Sequence, residues 1–230
     1  MYHNHPVRID IAGTVESIAK IDYNLLFRCY NTFYNPSNMF ICIAGNVNPE
    51  KVLNQINGAM KTNAPIEIER IGCDEPEEVV DSYVEQKLEV AHPMFCLGYK
   101  KSMDKPERTV KEKGDASPLY KKLINEGLIN DEFSFEYFTG NGYSAVIFEG
   151  ESADPKRVAE EIKAEVNRLK ADGIDKKLFS AVRCGMYGEA VRSFNSVKSI
   201  ASQLVECAMS DSGLFDELKY IKSATPEKVY

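Results

Sequence analysis

The stretch GTVESIAKIDYNLLFRCYNTFYNPSNMFICIAGNV, Gly13 to Val47, sets a capped helix, a turn and a continuous apolar run in immediate succession. Thr14 and Asp22 are N-cap residue types ahead of helical runs, and after Asp22 the residues Leu25, Leu26, Cys29, Tyr30 and Phe33 are spaced to line one helix face. Asn35-Pro36-Ser37-Asn38 stops that helix and turns the chain into Met39 to Ala44, a run with the length of a buried strand. Gly45 closes the strand. Asn48-Pro49-Glu50 then opens the next helix with an N-cap, a proline at the first helical position and an acid in the first turn.

Upstream, Met1 to Ile11 reads as an extended leading segment. Downstream, Glu50 to Thr62 continues as a helix with Val52, Leu53, Ile56 and Met60 on one side, broken by Asn63-Ala64-Pro65. Residues 66–82 are acidic and proline-punctuated (IEIERIGCDEPEEVVD over Ile66 to Asp81) and read as an inter-domain linker whose acids are solvated. Tyr83 to Val90 and Pro93 to Tyr99 have strand patterns, and Ser102 to Gly114 has none. A short helix, Leu119 to Glu126, ends at Gly127. Phe133 to Phe138 and Tyr143 to Glu149 flank Thr139-Gly140-Asn141-Gly142 as a hairpin. Asp154-Pro155 caps a helix carrying Val158, Ile162, Val166 and Leu169 and ended by Gly173. Two more helices run from Asp175 toward Arg192 and from Val197 to Met209. Strands followed by helices in blocks define an α+β chain, with mixed or antiparallel sheets covered by helices on one face.

The 230 residues are 43% hydrophobic and 27% charged, enough for one large core or two modest ones. A net charge of -7 argues against a general phosphate-binding surface, so no nucleic-acid partner is expected. The six cysteines (Cys29, Cys42, Cys73, Cys96, Cys184, Cys207) form no CxxC pair and read as reduced and buried, which places the protein in the cytoplasm. No apolar run approaches the roughly 20 residues that span a bilayer, and MYHNHPVRID lacks the order of a signal peptide.

The succession HP, then GT..SI..I....L...Y..FY.P.NM......GNV over Asn4 to Ile56, resembles the closing part of the first half of pitrilysin/insulinase-type zinc metallopeptidases, in their bacterial processing-protease-like branch. The likeness is weaker but continuous through Asp81 to Lys100 and Ser117 to Val229. It implies parts of two similar halves: residues 1–65 closing a first half, 66–82 linking, and 83–230 forming most of a second, non-catalytic half. Ile18 to Phe27 and Ile221 to Tyr230 correspond in role, with Asp22 and Thr225 as N-caps, as two halves require. The family's HxxEH helix and its further glutamate ligand are absent from this chain, so zinc is implied for a longer parent and no cofactor for the chain itself. Active members also carry an arginine and a tyrosine in the second half; the matching positions here are Ile124 and Asn130. Glu107 to Asp115 is too short for the helix that members place there.

No catalytic residue is expected. His3 and His5 in YHNHP resemble two ligands of a metal site, but no acid stands at a diagnostic spacing from them, so they read as a surface segment. His92 reads as a turn or core histidine. No GxSxG elbow, no cysteine–histidine signature and no phosphate loop is present. The resemblance leaves substrate handling: two halves close around an unfolded peptide, and Phe133, Phe135, Tyr137 and Tyr143 are the candidates to line that chamber, against the simpler reading that they pack on the helices. The expected partners are a peptide substrate and either the missing zinc-bearing half or a paired active subunit. The alternative function is a non-catalytic partner or interaction module of the same fold. An unpaired edge of the second sheet also invites Met39 to Ala44, or a second copy of the chain, to fill it.

Overall fold

The structure, a computed structural model, describes residues 1–60, 64–101 and 117–228. The expectation for Glu107 to Asp115 lies outside the described residues. The chain is α+β, with eight α-helices and one three-stranded antiparallel sheet among the described residues. It divides into two compact units: Met1–Gly13 with Ile71–Asp175, and Thr14–Arg70 with Lys176–Lys228.

The first unit holds the sheet. Strands β1 (Met94–Lys100), β2 (Ser134–Gly140) and β3 (Tyr143–Glu151) lie in the order β1-β3-β2. β2 and β3 form the expected hairpin, with Gly140 opposite Tyr143 and Gly142 at φ +88° in the turn, a backbone region open to glycine. Phe135, Tyr137, Val146, Phe148, Leu97 and Tyr99 share one face by strand alternation and register. Helices α4 (Pro118–Asn125) and α5 (Pro155–Asp172) cover that face: Leu123, Val158 and Ile162 are fully buried and pack with Phe95, Leu97, Phe133 and Phe148. Each feature that places α5 was visible locally. The Asp154 carboxylate accepts from the Arg157 amide at 3.1 Å, Pro155 stands in the first turn, and Gly173 ends the helix at φ +81°.

The second unit is helical. It contains α1 (Val15–Ile18), α2 (Tyr23–Phe33), α3 (Pro49–Ala59), α6 (Lys176–Ser193), α7 (Val197–Ser210) and α8 (Asp216–Ser223). Caps again set the starts: Asp22 accepts from the Leu25 amide at 2.8 Å, Asn48 from Lys51 at 3.0 Å, and Ser196 from Ser199 at 3.2 Å. Helices α6 and α8 pack together, and the Arg183 guanidinium donates to the Ala224 carbonyl at 3.0 Å. Thr225 directly precedes a 3-10 turn, Pro226–Lys228.

Three expectations are corrected, for Met39 to Ala44, for Tyr83 to Val90 and for the cysteines. Met39 to Ala44 is extended but not a strand, and Phe40 is 62% exposed. A strand needs a neighbour for its N–H and C=O groups, and no described residue supplies one here. Tyr83 to Val90 likewise has no strand partner among the described residues, with Tyr83, Val84 and Leu88 exposed. The apolar residues expected to line one face of α2 do so, and among the described residues that face stays exposed. The cysteines are unpaired but not buried: Cys29, Cys73, Cys96 and Cys184 are exposed, and Cys42 and Cys207 are half-buried. Apolar sequence neighbours do not bury a thiol when the whole run lies at the surface.

Candidate functional site

Within this unit, helices pack on one face of the sheet; the other face is exposed in part, although Ala145 on it is buried. Cys96, Glu136 and Glu149 are exposed there. The four aromatic candidates divide between the two faces. Phe133 packs into the helix-covered core, 6.2 Å from Phe95 and 6.4 Å from Phe148, centroid to centroid. Phe135 pairs across strands with Phe148, and Tyr137 with Val146, on that same face. Tyr143 points to the opposite face, where its ring lies 5.0 Å from Phe138 and over Gly140, so closely that a Cβ on Gly140 would clash with the ring.

On this second face the leading segment bends over the sheet. The Glu75 carboxylate accepts three successive backbone N–H groups, from His3 at 2.7 Å, Asn4 at 2.7 Å and His5 at 2.8 Å. Consecutive amides around one anion form a nest, which places their partial positive charges on the carboxylate. Lys100, at the end of β1, completes the arrangement. Its ammonium donates to Glu75 Oε1 at 2.7 Å and to the carbonyls of Pro76 and Glu78, and it stands 4.9 Å over the Tyr2 ring. The two charged side chains are only 4% and 3% exposed. Burial works against the charge on Glu75, but Lys100 and the three amides outweigh it and hold the carboxyl well below the usual carboxylate range.

Tyr2 is buried, and burial pushes its hydroxyl pKa up. Its ring meets Tyr143 edge-on at 6.2 Å, and the His5 ring lies 5.1 Å from Tyr143. His5 Nδ1 accepts from the Val7 amide at 3.0 Å, so Nε2 carries the proton and donates to the Asn141 carbonyl at 3.1 Å. Met1 lies on Gly98, where a Cβ would clash with the Met1 methyl.

Among the described residues no group of three or more His, Cys, Asp or Glu side chains could hold a metal ion. Both His5 nitrogens are already engaged, and the residues present do not fit a zinc site. Ile124 belongs to the core, and Asn130 donates to Glu151 at 2.8 Å beside a shallow depression that also includes His92, Leu128 and Ser152.

Sequence reasoning missed Glu75. Its acidic, proline-bounded surroundings have the pattern of a solvated connector, and its partners lie 25 and about 70 positions away. A charged lysine closing an apolar strand was the one local hint.

Comparison with known proteins identifies the family. Residues 20–185 match the family described as the Peptidase M16 inactive domain. The chain belongs to the M16 peptidase family, and the part it matches is the inactive type. It is 35% identical to YmfH of Bacillus subtilis (strain 168), itself an uncharacterized zinc protease, over all of this chain and 57% of that protein. YmxG, a second uncharacterized zinc protease of the same organism, is 25% identical over 88% of this chain and 51% of its own length. The chain thus spans about half the length of these curated relatives. Among solved structures, an M16-like peptidase from Alicyclobacillus acidocaldarius superimposes with a TM-score of 0.83 at 28% identity, covering all of this chain and 58% of that one. A protease from Helicobacter pylori shares the fold, with a TM-score of 0.78 at 16% identity over 94% of this chain and 57% of its own.

Proposed function

We propose that this chain is the non-catalytic, substrate-handling portion of a zinc-dependent endopeptidase of the M16 (pitrilysin/insulinase) type. It supplies chamber wall, and a zinc-bearing portion supplies the reaction. The observation that carries this reading is the exposed part of the sheet face without helices, around Cys96, Glu136 and Glu149, in a chain whose match is to the inactive domain. An exposed sheet face with a free strand edge is a surface on which an unfolded peptide can lie or add as a strand. The outer edges of β1 and β2 have no strand partner among the described residues. A peptide or a second copy of the chain could pair with either. The zinc of the parent is supported by the names of the relatives, and a cytoplasmic setting by six unpaired thiols.

The test combines zinc stoichiometry with cleavage of an unstructured fluorogenic peptide, by the chain alone and by the parent that contains it, with and without a chelator. The expected result is no bound zinc and no chelator-sensitive cleavage by the chain alone, with both present in the parent. Near-stoichiometric zinc and chelator-sensitive cleavage by the isolated chain would overturn the assignment.

A further inference from the structure

The sequence holds two Asn-Gly pairs, Asn57-Gly58 and Asn141-Gly142. A glycine has no side chain to keep its own amide nitrogen away from the preceding asparagine side chain, so such a pair can close on itself in water. We propose that Asn141, in the β2–β3 turn, is a site of spontaneous conversion to aspartate and isoaspartate, promoted by the hydrogen bond from His5. In this step the Gly142 N–H gives its proton to solvent and the nitrogen attacks Asn141 Cγ. The Cγ–Nδ2 bond breaks, ammonia leaves and a cyclic imide remains. Water then opens the ring at either carbonyl, giving aspartate or isoaspartate with no change of oxidation state.

Both asparagines are exposed, so access to water does not separate them. The backbone does. Gly58 lies inside α3, where its N–H belongs to the helix ladder, and the nitrogen is held until the helix opens. Gly142 lies between the paired residues Gly140 and Tyr143 at φ +88°, and its N–H donates to no described residue. His5 adds a chemical bias. Its Nδ1 is occupied by the Val7 amide, so Nε2 carries the proton and donates to the Asn141 carbonyl at 3.1 Å. The ring stands against Gly142, where a Cβ would come within 3.0 Å of Nε2. The Asn141 carbonyl and the Gly142 N–H are two ends of one peptide unit. A donor on the oxygen draws charge through the conjugated C–N bond and makes the N–H more acidic, which favours the attacking form of the nitrogen. The product also changes the turn. In isoaspartate the main chain runs through Cγ, and the oxygen that accepts from His5 becomes part of a free carboxylate, an anion beside an imidazole N–H.

The experiment ages the full chain in neutral buffer, folded and in denaturing guanidinium chloride. Peptide mapping by mass spectrometry follows the conversion of amide to acid at both pairs, and labelling with an isoaspartyl methyltransferase identifies isoaspartate. In the folded chain Asn141 is expected to convert at least tenfold faster than Asn57; in denaturant, where neither nitrogen is held, the two rates should agree within about threefold. Equal folded rates, or a faster Asn57, would overturn the site. A difference in denaturant as large as that in the folded chain would trace the selectivity to neighbouring residues and overturn the structural argument. His5→Phe keeps an aromatic ring and removes the donor. Its folded rate at Asn141 is expected to fall at least threefold, with the rate in denaturant unchanged. An unchanged or higher folded rate would overturn the promotion by His5. Should His5→Phe not fold, as read by circular dichroism, His5→Leu removes the same donor and is judged by the same rate.

Discussion

Glu75 shows how one residue can reverse the meaning of its segment. By pattern it is one acid among many in a connector, but in the structure it is an anion removed from water and surrounded by four donors. Its lowered pKa fixes the sign of a pH effect. A carboxylate that ionises more readily folded than unfolded contributes stability that is fully present above the unfolded value, about 4.3, and is lost as pH falls through the folded value. Thermal unfolding of the sheet-bearing unit is therefore expected to be insensitive to this residue's ionisation from pH 7 to about 5. Below about 4 the wild type should lose stability more steeply than Glu75→Gln, in which this group no longer titrates. Parallel slopes for the two proteins between pH 5 and 2 would show that Glu75 is solvated. The ring placements teach a related lesson: the hairpin register, not the sequence pattern, puts Tyr143 on the face opposite Phe135 and Tyr137, and the helices decide which face is core.

Among the elements, those fixed by local chemistry follow the sequence. Helices α2, α3, α5 and α7 begin at capping side chains that bond the third residue onward, and the β2–β3 hairpin turns at Asn141-Gly142. An element's apolar face, however, says nothing about whether a partner exists. Leu123 on α4 is fully buried, while Leu26 on α2 is 60% exposed although its helix has the stronger sequence signature. Truncation should separate the two. Leu123→Ala is expected to cost about 2–5 kcal/mol in urea unfolding, because it opens a cavity between α4, α5 and the sheet. Leu26→Ala is expected to stay within about 0.5 kcal/mol, the range of surface changes. A loss at Leu26 equal to that at Leu123 would mean that α2 is covered in solution.

For the molecule as a whole, that uncovered helix has a consequence. Tyr23, Leu26, Phe27, Tyr30 and Tyr34 recur at helical spacing and are all exposed, with Tyr23–Phe27 and Tyr30–Tyr34 ring contacts at 4.6 and 4.9 Å running along the stripe. Contiguous apolar surface of this kind drives association. The isolated chain is expected to bind a hydrophobic dye and to self-associate at micromolar concentrations in light scattering, and Leu26→Glu with Phe27→Glu should suppress both. A monodisperse, dye-silent wild type would contradict this.

The sequence by itself determined the α+β class, the helix starts, the hairpin and the metallopeptidase family, because caps, turns and short-range periodicity act between residues a few positions apart. Only the tertiary structure decided that, among the described residues, Met39 to Ala44 goes unpaired and the apolar face of α2 is uncovered, and that Glu75 and Lys100 bind the leading segment over Tyr143. Strand pairing, burial and ion-pair desolvation all depend on what distant chain brings alongside, and that information is absent from any local pattern.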